Sequence, residues 1–321
     1  MLLTMRRLAL PALALSSAAL AAQEVPTFPT TTELVYVRFH VERKGAFLDK
    51  LTKDQLRVLE DGKPQEIALL ETPSTRERTV PPEVVLALDV SSSVLDEGLL
   101  DEALVKDVLL ATLGEQASVG LCAFGGTLRC LAAPTRDADA LLRGFGQAMD
   151  FGVESRRGGT RLYGSLADIM RMEPTAPRAQ RALIVFSDGI DNKGGGVKDA
   201  IDAALAEDVR VYAVTLSQAF QATSRSAGPF GPPPNRTYFD YKKLDLRRLA
   251  EETGGTGYEP GNLDAKGMAR ILREIATEIS MENVVGYAPE GPATGARHKV
   301  KVELADKSLG KVRNGERTVV R

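Results

Sequence analysis

The chain has 321 residues, 43% of them hydrophobic and 26% charged, a balance suited to a water-soluble fold with room for one large domain and a smaller one. A formal charge of -2 leaves no basic footprint for nucleic acid. Aromatic residues make up only 5% and Trp is absent, which argues against base stacking or a broad sugar-binding platform.

At the start of the chain, Arg6 and Arg7 precede an Ala/Leu-rich apolar stretch from Leu8 to Leu20, and Ala19-Leu20-Ala21 is a small-x-small cleavage pattern. Residues 1–22 therefore read as a signal peptide, cleaved after Ala21 or Ala22. A membrane anchor is the competing reading, and the apolar stretch is short for a span. No later segment is expected to cross a membrane, so the mature protein is expected to be exported, to the periplasm or outside the cell. Residues 23–32, rich in Pro and Thr, read as a linker.

Residues 33–80 read as a β segment. Leu34 to Val41 alternates apolar and polar, as in a half-buried strand. Leu56 to Glu60 is a second strand. The Asp61-Gly62 dipeptide is a strong hairpin signal, with Gln65 to Leu70 as the returning partner. About forty residues make a poor core alone, so the segment should pack on something else.

From residue 81 to 282 the pattern changes to strand, helix, strand. Glu83 to Leu88 is an apolar run, read as a strand buried on both faces. Leu100, Leu104, Val108 and Ala111 share one helical face. Ser118 to Phe124 and Leu128 to Ala133 read as a strand pair, and Leu141 to Met149 as a short helix. A further helical face carries Leu162, Leu166 and Ile169. Arg181 to Phe186 and Val209 to Leu216 are two more buried strands. Leu244 to Glu252 is helical and stops at Gly254-Gly255. Met268, Leu272, Ile275 and Ile279 stripe the last helix. This alternation predicts an α/β fold, a doubly wound and mostly parallel sheet with helices on both faces. Residues 283–321 turn β-like again, and the core-size argument predicts that they complete the sheet begun by residues 33–72.

The chain has two cysteines, Cys122 and Cys130, flanking Phe124-Gly125-Gly126-Thr127-Leu128. With a three-residue turn they face each other and can form a disulfide, which export permits. With a two-residue turn they are offset and stay two buried thiols. The long Gly/Pro/Ser-rich stretch from Ser217 to Asp240 follows a strand at the carboxyl edge of the sheet. It reads either as a partner-contacting loop, with Tyr238, Phe239 and Tyr241 as its aromatics, or as a mobile insertion.

Chemistry concentrates in three short stretches. Asp89, Ser91 and Ser93 follow the first central strand, and a spacing of two puts all three on one side of an extended chain. Gly158-Gly159-Thr160 brings the backbone close to something and offers a hydroxyl at a helix start. Asp188, before Gly189, ends another buried strand. Each stretch alone is equally well read as a cap or a turn. Together they place two carboxylates and three hydroxyls at the carboxyl ends of strands where a doubly wound sheet reverses its order. Hard oxygens of this kind suit Mg2+, and the shell leaves room for one outside ligand, most naturally a partner's carboxylate.

The strings Asp-x-Ser-x-Ser, Gly-Gly-Thr-x-Leu-Tyr and Ser-Asp-Gly-x-Asp-Asn resemble the von Willebrand factor type A (VWFA) domain with its metal-ion-dependent adhesion site, over about residues 82–282. The resemblance implies a Rossmann-like VWFA domain whose metal residues are Asp89, Ser91, Ser93, Thr160 and Asp188, directly or through water. The flanks, Leu51 to Gln65 and Leu249 to Gly255, are similar to the secreted bacterial VWFA-related proteins. Val285-Gly286-Tyr287-Ala288-Pro289 matches less well, since that group tends to carry Tyr where Ala288 stands.

The expected function is metal-dependent protein binding. Mg2+, or in its place Mn2+ or Ca2+, would capture an Asp or Glu of a protein partner. A structural component of an envelope assembly is the runner-up. A metal-dependent hydrolase comes third, because Ser91 stands where a second acid would be needed and both histidines, His40 and His298, lie outside residues 81–282. The chain is therefore not expected to be an enzyme.

Overall fold

A computed structural model of the chain describes residues 34–75, 82–95, 117–155, 158–175, 180–216, 245–259, 265–291 and 293–321. The expected signal peptide and linker, the helix expected around Leu100 to Ala111 and the stretch carrying Tyr238, Phe239 and Tyr241 lie outside the described residues.

The central layer is a six-stranded sheet of β6 (Glu83–Asp89), β7 (Ser118–Phe124), β8 (Leu128–Thr135), β9 (Arg181–Ser187), β10 (Val209–Thr215) and β11 (Gly257–Tyr258). Its spatial order is β11-β10-β9-β6-β7-β8, parallel throughout except for the β7–β8 hairpin. Successive residues of a strand point to opposite faces, so β6 and β9 bury two sets of side chains. Val84, Leu86, Leu88, Ile184 and Phe186 face one way and pack with Leu141 and Phe145 of helix α2 and Leu272 and Ile275 of α6. Ala87, Leu183 and Val185 face the other way, against Leu166 of α3, Ile201 of α4 and Leu249 of α5. In chain order these helices are α1 (Ser92–Leu95), α2 (Ala138–Ser155), α3 (Leu162–Met170), α4 (Val197–Ala206), α5 (245–252) and α6 (Ala265–Ser280). This is the doubly wound α/β architecture.

Helix α2 is twice as long as the pattern from Leu141 to Met149 suggests. Its start is capped by Asp137, whose Oδ1 accepts from the amides of Asp139 and Ala140 at 2.9 and 3.2 Å. Two of its interior glycines, Gly144 and Gly152, are close approaches, whereas Gly146 faces open space. A Cβ on Gly152 would lie 2.5 Å from Leu95 and 3.0 Å from Val90, so the helix runs directly behind the segment that follows β6.

The remaining strands are β1 (Val35–Arg43), β2 (Ala46–Phe47), β3 (Leu56–Glu60), β4 (Lys63–Gln65), β5 (Ile67–Glu71), β12 (Asn283–Tyr287), β13 (Arg297–Leu304), β14 (Lys311–Arg313) and β15 (Glu316–Val320). They form two sheets rather than one. One has the order β14-β1-β12-β5 with β2 on β1, and the other the order β15-β13-β3-β4. Val37, Phe39, Val41, Val58, Val285, Tyr287, Val300 and Val302 fill the core between them. Asp61 and Gly62, at φ 48° and 81°, make the expected tight turn. The return is shorter than expected: β4 alone pairs with β3, and after Glu66 the chain crosses to pair β5 with β12.

The alternation in β1 misleads about its surroundings. The middle of its polar face meets protein, with Arg38 and His40 buried, while Tyr36 at its start stays exposed. Arg38 donates to the Asp208 carboxylate at 2.7 Å and to its carbonyl at 2.9 Å. Arg210 donates to the Arg38 carbonyl at 2.9 Å and pairs with Glu282. A His40 ring nitrogen meets the Glu278 carbonyl at 2.6 Å. Among the described residues no helix is long and apolar enough to cross a membrane.

Candidate metal centre

Strands β6 and β9 are neighbours; the chain leaves β6 for β7 and β8 on one side, then crosses back to β9 on the other. Their carboxyl ends therefore lie at the switch point of the sheet, the usual ligand position in such folds. Asp89 ends β6, and Ser187 ends β9 just before Asp188.

The chain after Asp89 is not extended. The Ser91 amide donates to Asp89 Oδ1 at 2.9 Å, and the amides of Val94 and Leu95 bond back to the Ser91 carbonyl, turning the segment into helix α1. The turn still gathers the hydroxyls. Ser91 Oγ and Ser93 Oγ are 3.1 Å apart, and Ser93 Oγ donates to Asp188 Oδ2 at 2.6 Å. Asp188 uses its other oxygen locally, as the acceptor for the Ile190 amide at 3.0 Å. Gly189, at φ 79°, makes that turn. Four of the five predicted residues are thus linked through one chain of contacts.

The fifth, Thr160, is buried and held by its backbone. Its amide donates to Asn192 Oδ1 at 2.7 Å, and its carbonyl accepts from the amides of Asn192 and Lys193 at 3.0 and 3.2 Å. Gly159 has φ 69°, and a Cβ there would come within 2.5 Å of Asn192 Oδ1, so the glycine is required for this approach. Thr160 does not cap the helix that follows. Helix α3 starts at Leu162, and the acceptor for the Tyr163 amide is Asp191 Oδ2 at 3.0 Å.

Three supporting residues carry no signal of their own in the spacing. Ser187 Oγ donates to Asp89 Oδ2 at 2.6 Å and accepts from the Gly189 amide at 3.1 Å. Asp191 takes the amides of Tyr163 and Lys193, and Asn192 takes Thr160. The presence of all three in Ser-Asp-Gly-x-Asp-Asn was the available clue.

Asp89 is 2% exposed. Burial, and then the negative charge of Asp188, push its carboxyl up to about 7. Two carboxylates brought together at the end of a buried strand are balanced by a bound cation or a proton. Among the described residues no group of three or more His, Cys, Asp or Glu converges to hold a metal. Coordination here would rest on two carboxylates and hydroxyls, a hard-oxygen set that fits Mg2+ or Ca2+ better than softer ions. The observed oxygen separations of 2.6–3.1 Å are compatible with ligand–ligand edges of about 3 Å in an octahedral Mg2+ shell.

Beside this cluster the β7–β8 hairpin closes with the three-residue turn 125–127, and Cys122 and Cys130, opposed in register, form a disulfide.

Fold and site together define a Rossmann-like domain of the von Willebrand type. The chain belongs to the VWA domain containing CoxE-like protein family, whose model matches residues 37–216. No curated protein matches it. Among solved structures it is similar to the conserved hypothetical protein BatB from Bacteroides thetaiotaomicron, at 18% identity over 62% of this chain and 98% of that one, with a TM-score of 0.46. It is also similar to a von Willebrand factor type A protein from Catenulispora acidiphila, at 14% identity over 89% and 72%, TM-score 0.45. Proximal thread matrix protein 1 from the mussel byssus, solved with a zinc-occupied MIDAS motif, is similar at 15% identity over 63% and 48%, TM-score 0.43.

Proposed function

We propose that this chain is an exported, metal-dependent protein-binding module and not an enzyme. The observation that carries the reading is the convergence of Asp89, Ser91, Ser93 and Asp188 at the switch point of the sheet, linked by contacts of 2.6–3.1 Å; Thr160, bonded through its backbone to Asn192 and Lys193, is taken as the fifth ligand. These five residues would hold Mg2+, with Mn2+ or Ca2+ as substitutes. When bound, the cation would supply the positive charge onto which an Asp or Glu of a protein partner docks. Asp89, anchored by the Ser91 amide and Ser187, keeps its oxygens fixed before any cation arrives, so little ordering is lost on binding. Ser91 and Ser93 offer neutral oxygens. Two carboxylates neutralise a divalent cation without adding excess negative charge, and the neutral hydroxyls leave a coordination position open for a third carboxylate, which the partner brings. Export is supported by the leader-like sequence of residues 1–22 and by the Cys122–Cys130 disulfide. Both histidines lie outside the α/β layer, so no imidazole is available beside the cluster as a general base.

Thermal unfolding of the mature protein tests this directly. Mg2+ or Mn2+ at a hundred times its Kd stabilises by about 2.7 kcal/mol, roughly 4 °C for a chain of this size. The rise should vanish in EDTA and in Asp89→Ala. Equal midpoints for wild type and variant across millimolar metal would sink the proposal. Capture of a partner by the wild type in Mg2+, lost in EDTA and lost with Asp89→Ala, is the matching test of binding.

A further inference from the structure

The Cys122–Cys130 disulfide sits two residues below a hairpin tip that touches both halves of the candidate centre. In register, Cys122 opposes Cys130, Ala123 opposes Arg129 and Phe124 opposes Leu128. The next two carbonyls of the tip are then used outward. The Phe124 carbonyl accepts from the Val90 amide at 2.9 Å, and the Gly125 carbonyl accepts from the Arg161 amide at 2.8 Å. Val90 follows Asp89, and Arg161 follows Thr160. The tip also packs tightly between these bonds: a Cβ on Gly126 would meet the Gly158 carbonyl and Lys193 Nζ, each at 2.9 Å. Two segments that bear candidate ligands, about seventy residues apart in sequence, are thus hung from consecutive carbonyls of one turn.

We infer that the Cys122–Cys130 disulfide is a positioning device for the candidate metal centre, and that its reduction weakens cation binding. This inference rests on the metal-binding reading given above. The cross-link closes only a short loop, within a hairpin already laced by strand hydrogen bonds, so it constrains the unfolded chain less than a bridge between distant segments would. What it fixes is local, namely the register and twist of the strands that aim Phe124 and Gly125. Cys122 is buried in the core, whereas Cys130 is exposed, with Met172 Sδ 3.8 Å from its Sγ. The outer sulfur is therefore open to exchange. A thiolate of a dithiol reductant attacks Cys130 Sγ, the Cys122–Cys130 bond breaks, and Cys122 leaves as thiolate and takes a proton. The second thiol of the reductant then displaces Cys130, leaving two protein thiols and an oxidised reductant.

The test measures Mn2+ affinity of the full chain by electron paramagnetic resonance of the free ion. It compares oxidised protein, protein reduced with dithiothreitol and freed of it anaerobically, and the same sample reoxidised. We expect the Kd to rise about 10-fold or more on reduction, in the range seen when supporting contacts of a metal site are lost, and to recover on reoxidation. The metal-free unfolding midpoint should fall by a few degrees, as for the opening of any short cross-linked loop, and that fall does not decide between the two readings. Cys122→Ser/Cys130→Ser should behave as the reduced protein does. Gly126→Ala, which disturbs the tip without touching sulfur, should weaken Mn2+ binding as well and covers the case in which the double variant does not fold. Equal Mn2+ affinity in the oxidised and reduced forms, whatever the shift in midpoint, makes the disulfide a plain cross-link and overturns the inference while leaving the metal site intact. No Mn2+ binding by the oxidised wild type brings down both readings.

Discussion

Ser187 shows how much of the centre depends on a residue outside the five candidate ligands. Its hydroxyl is buried, donates to Asp89 and accepts from Gly189, so it ties the end of β6 to the turn that carries Asp188. Ser187→Ala leaves a buried carboxylate oxygen and a buried amide each short of a partner. We expect it to cost about 1–3 kcal/mol in urea unfolding of the metal-free protein, and to weaken Mn2+ binding about 10-fold. An unchanged affinity would mean that Asp89 is held by Ser91 alone. The spacing of Asp89, Ser91 and Ser93 was readable in the sequence because it is local. The roles of Ser187, Asp191 and Asn192 were not, because each bonds a group that only folding brings near, such as Asp89, 98 positions away. Thr160 falls between: the two glycines before it announced a close approach, but not that Asn192 was what they approach.

At the level of elements, β1 is the instructive case. Its strict alternation was legible and its extent nearly so, yet Arg38 and His40 on the polar face are buried against the α/β layer. Alternation reports two different faces, and it cannot say that the second face meets protein through Arg38 and His40. In α2 the helix continues past Met149 because Gly152 is a gap reserved for Val90 and Leu95, which the apolar pattern alone does not show. His40 makes the buried face measurable. Burial first, and then the Arg210 charge, lower its imidazole from 6.5 to about 4. The fold therefore favours the neutral ring. The stability from this group is fully present above pH 6.5 and is lost as pH falls toward 4, because the unfolded chain takes the proton first. His40→Gln keeps a donor for the Glu278 carbonyl and removes the titration. The stability of wild type relative to His40→Gln should fall by about 2–3 kcal/mol between pH 7.5 and 4.5. Parallel curves from chemical denaturation at the two pH values would show that His40 is protonated in the fold at no extra cost.

On the scale of the whole molecule, the two outer sheets are stitched from distant parts of the sequence. Strand β12 lies between β1 and β5, and β13 lies between β15 and β3. Neither sheet survives the loss of one contributor, since each would keep an exposed apolar face and unpaired edges. Truncation after Glu282 should therefore make residues 34–75 protease-sensitive, as read by limited proteolysis and mass spectrometry, while residues 83–216 stay protected longer. Continued protection of residues 34–75 would show that they fold without residues 283–321. Prediction from sequence of a shared β unit was possible from core size, but its division into two sheets was not, because the crossing after Glu66 leaves no signature beyond one polar residue.

The α/β layer is entered at Glu83 and left after Glu282, and both residues are buried at the amino edge of the sheet, opposite the end where Asp89 and Asp188 stand. Glu282 pairs there with Arg210 and lies near Arg38. A partner gripped at the carboxyl edge and a tether at the amino edge would pull along the strand axes. Tension of that kind would shear the hydrogen bonds of β6 with β7 and β9 all at once, instead of peeling them one by one. Under such tension the central strand would carry the force from one end of the sheet to the other.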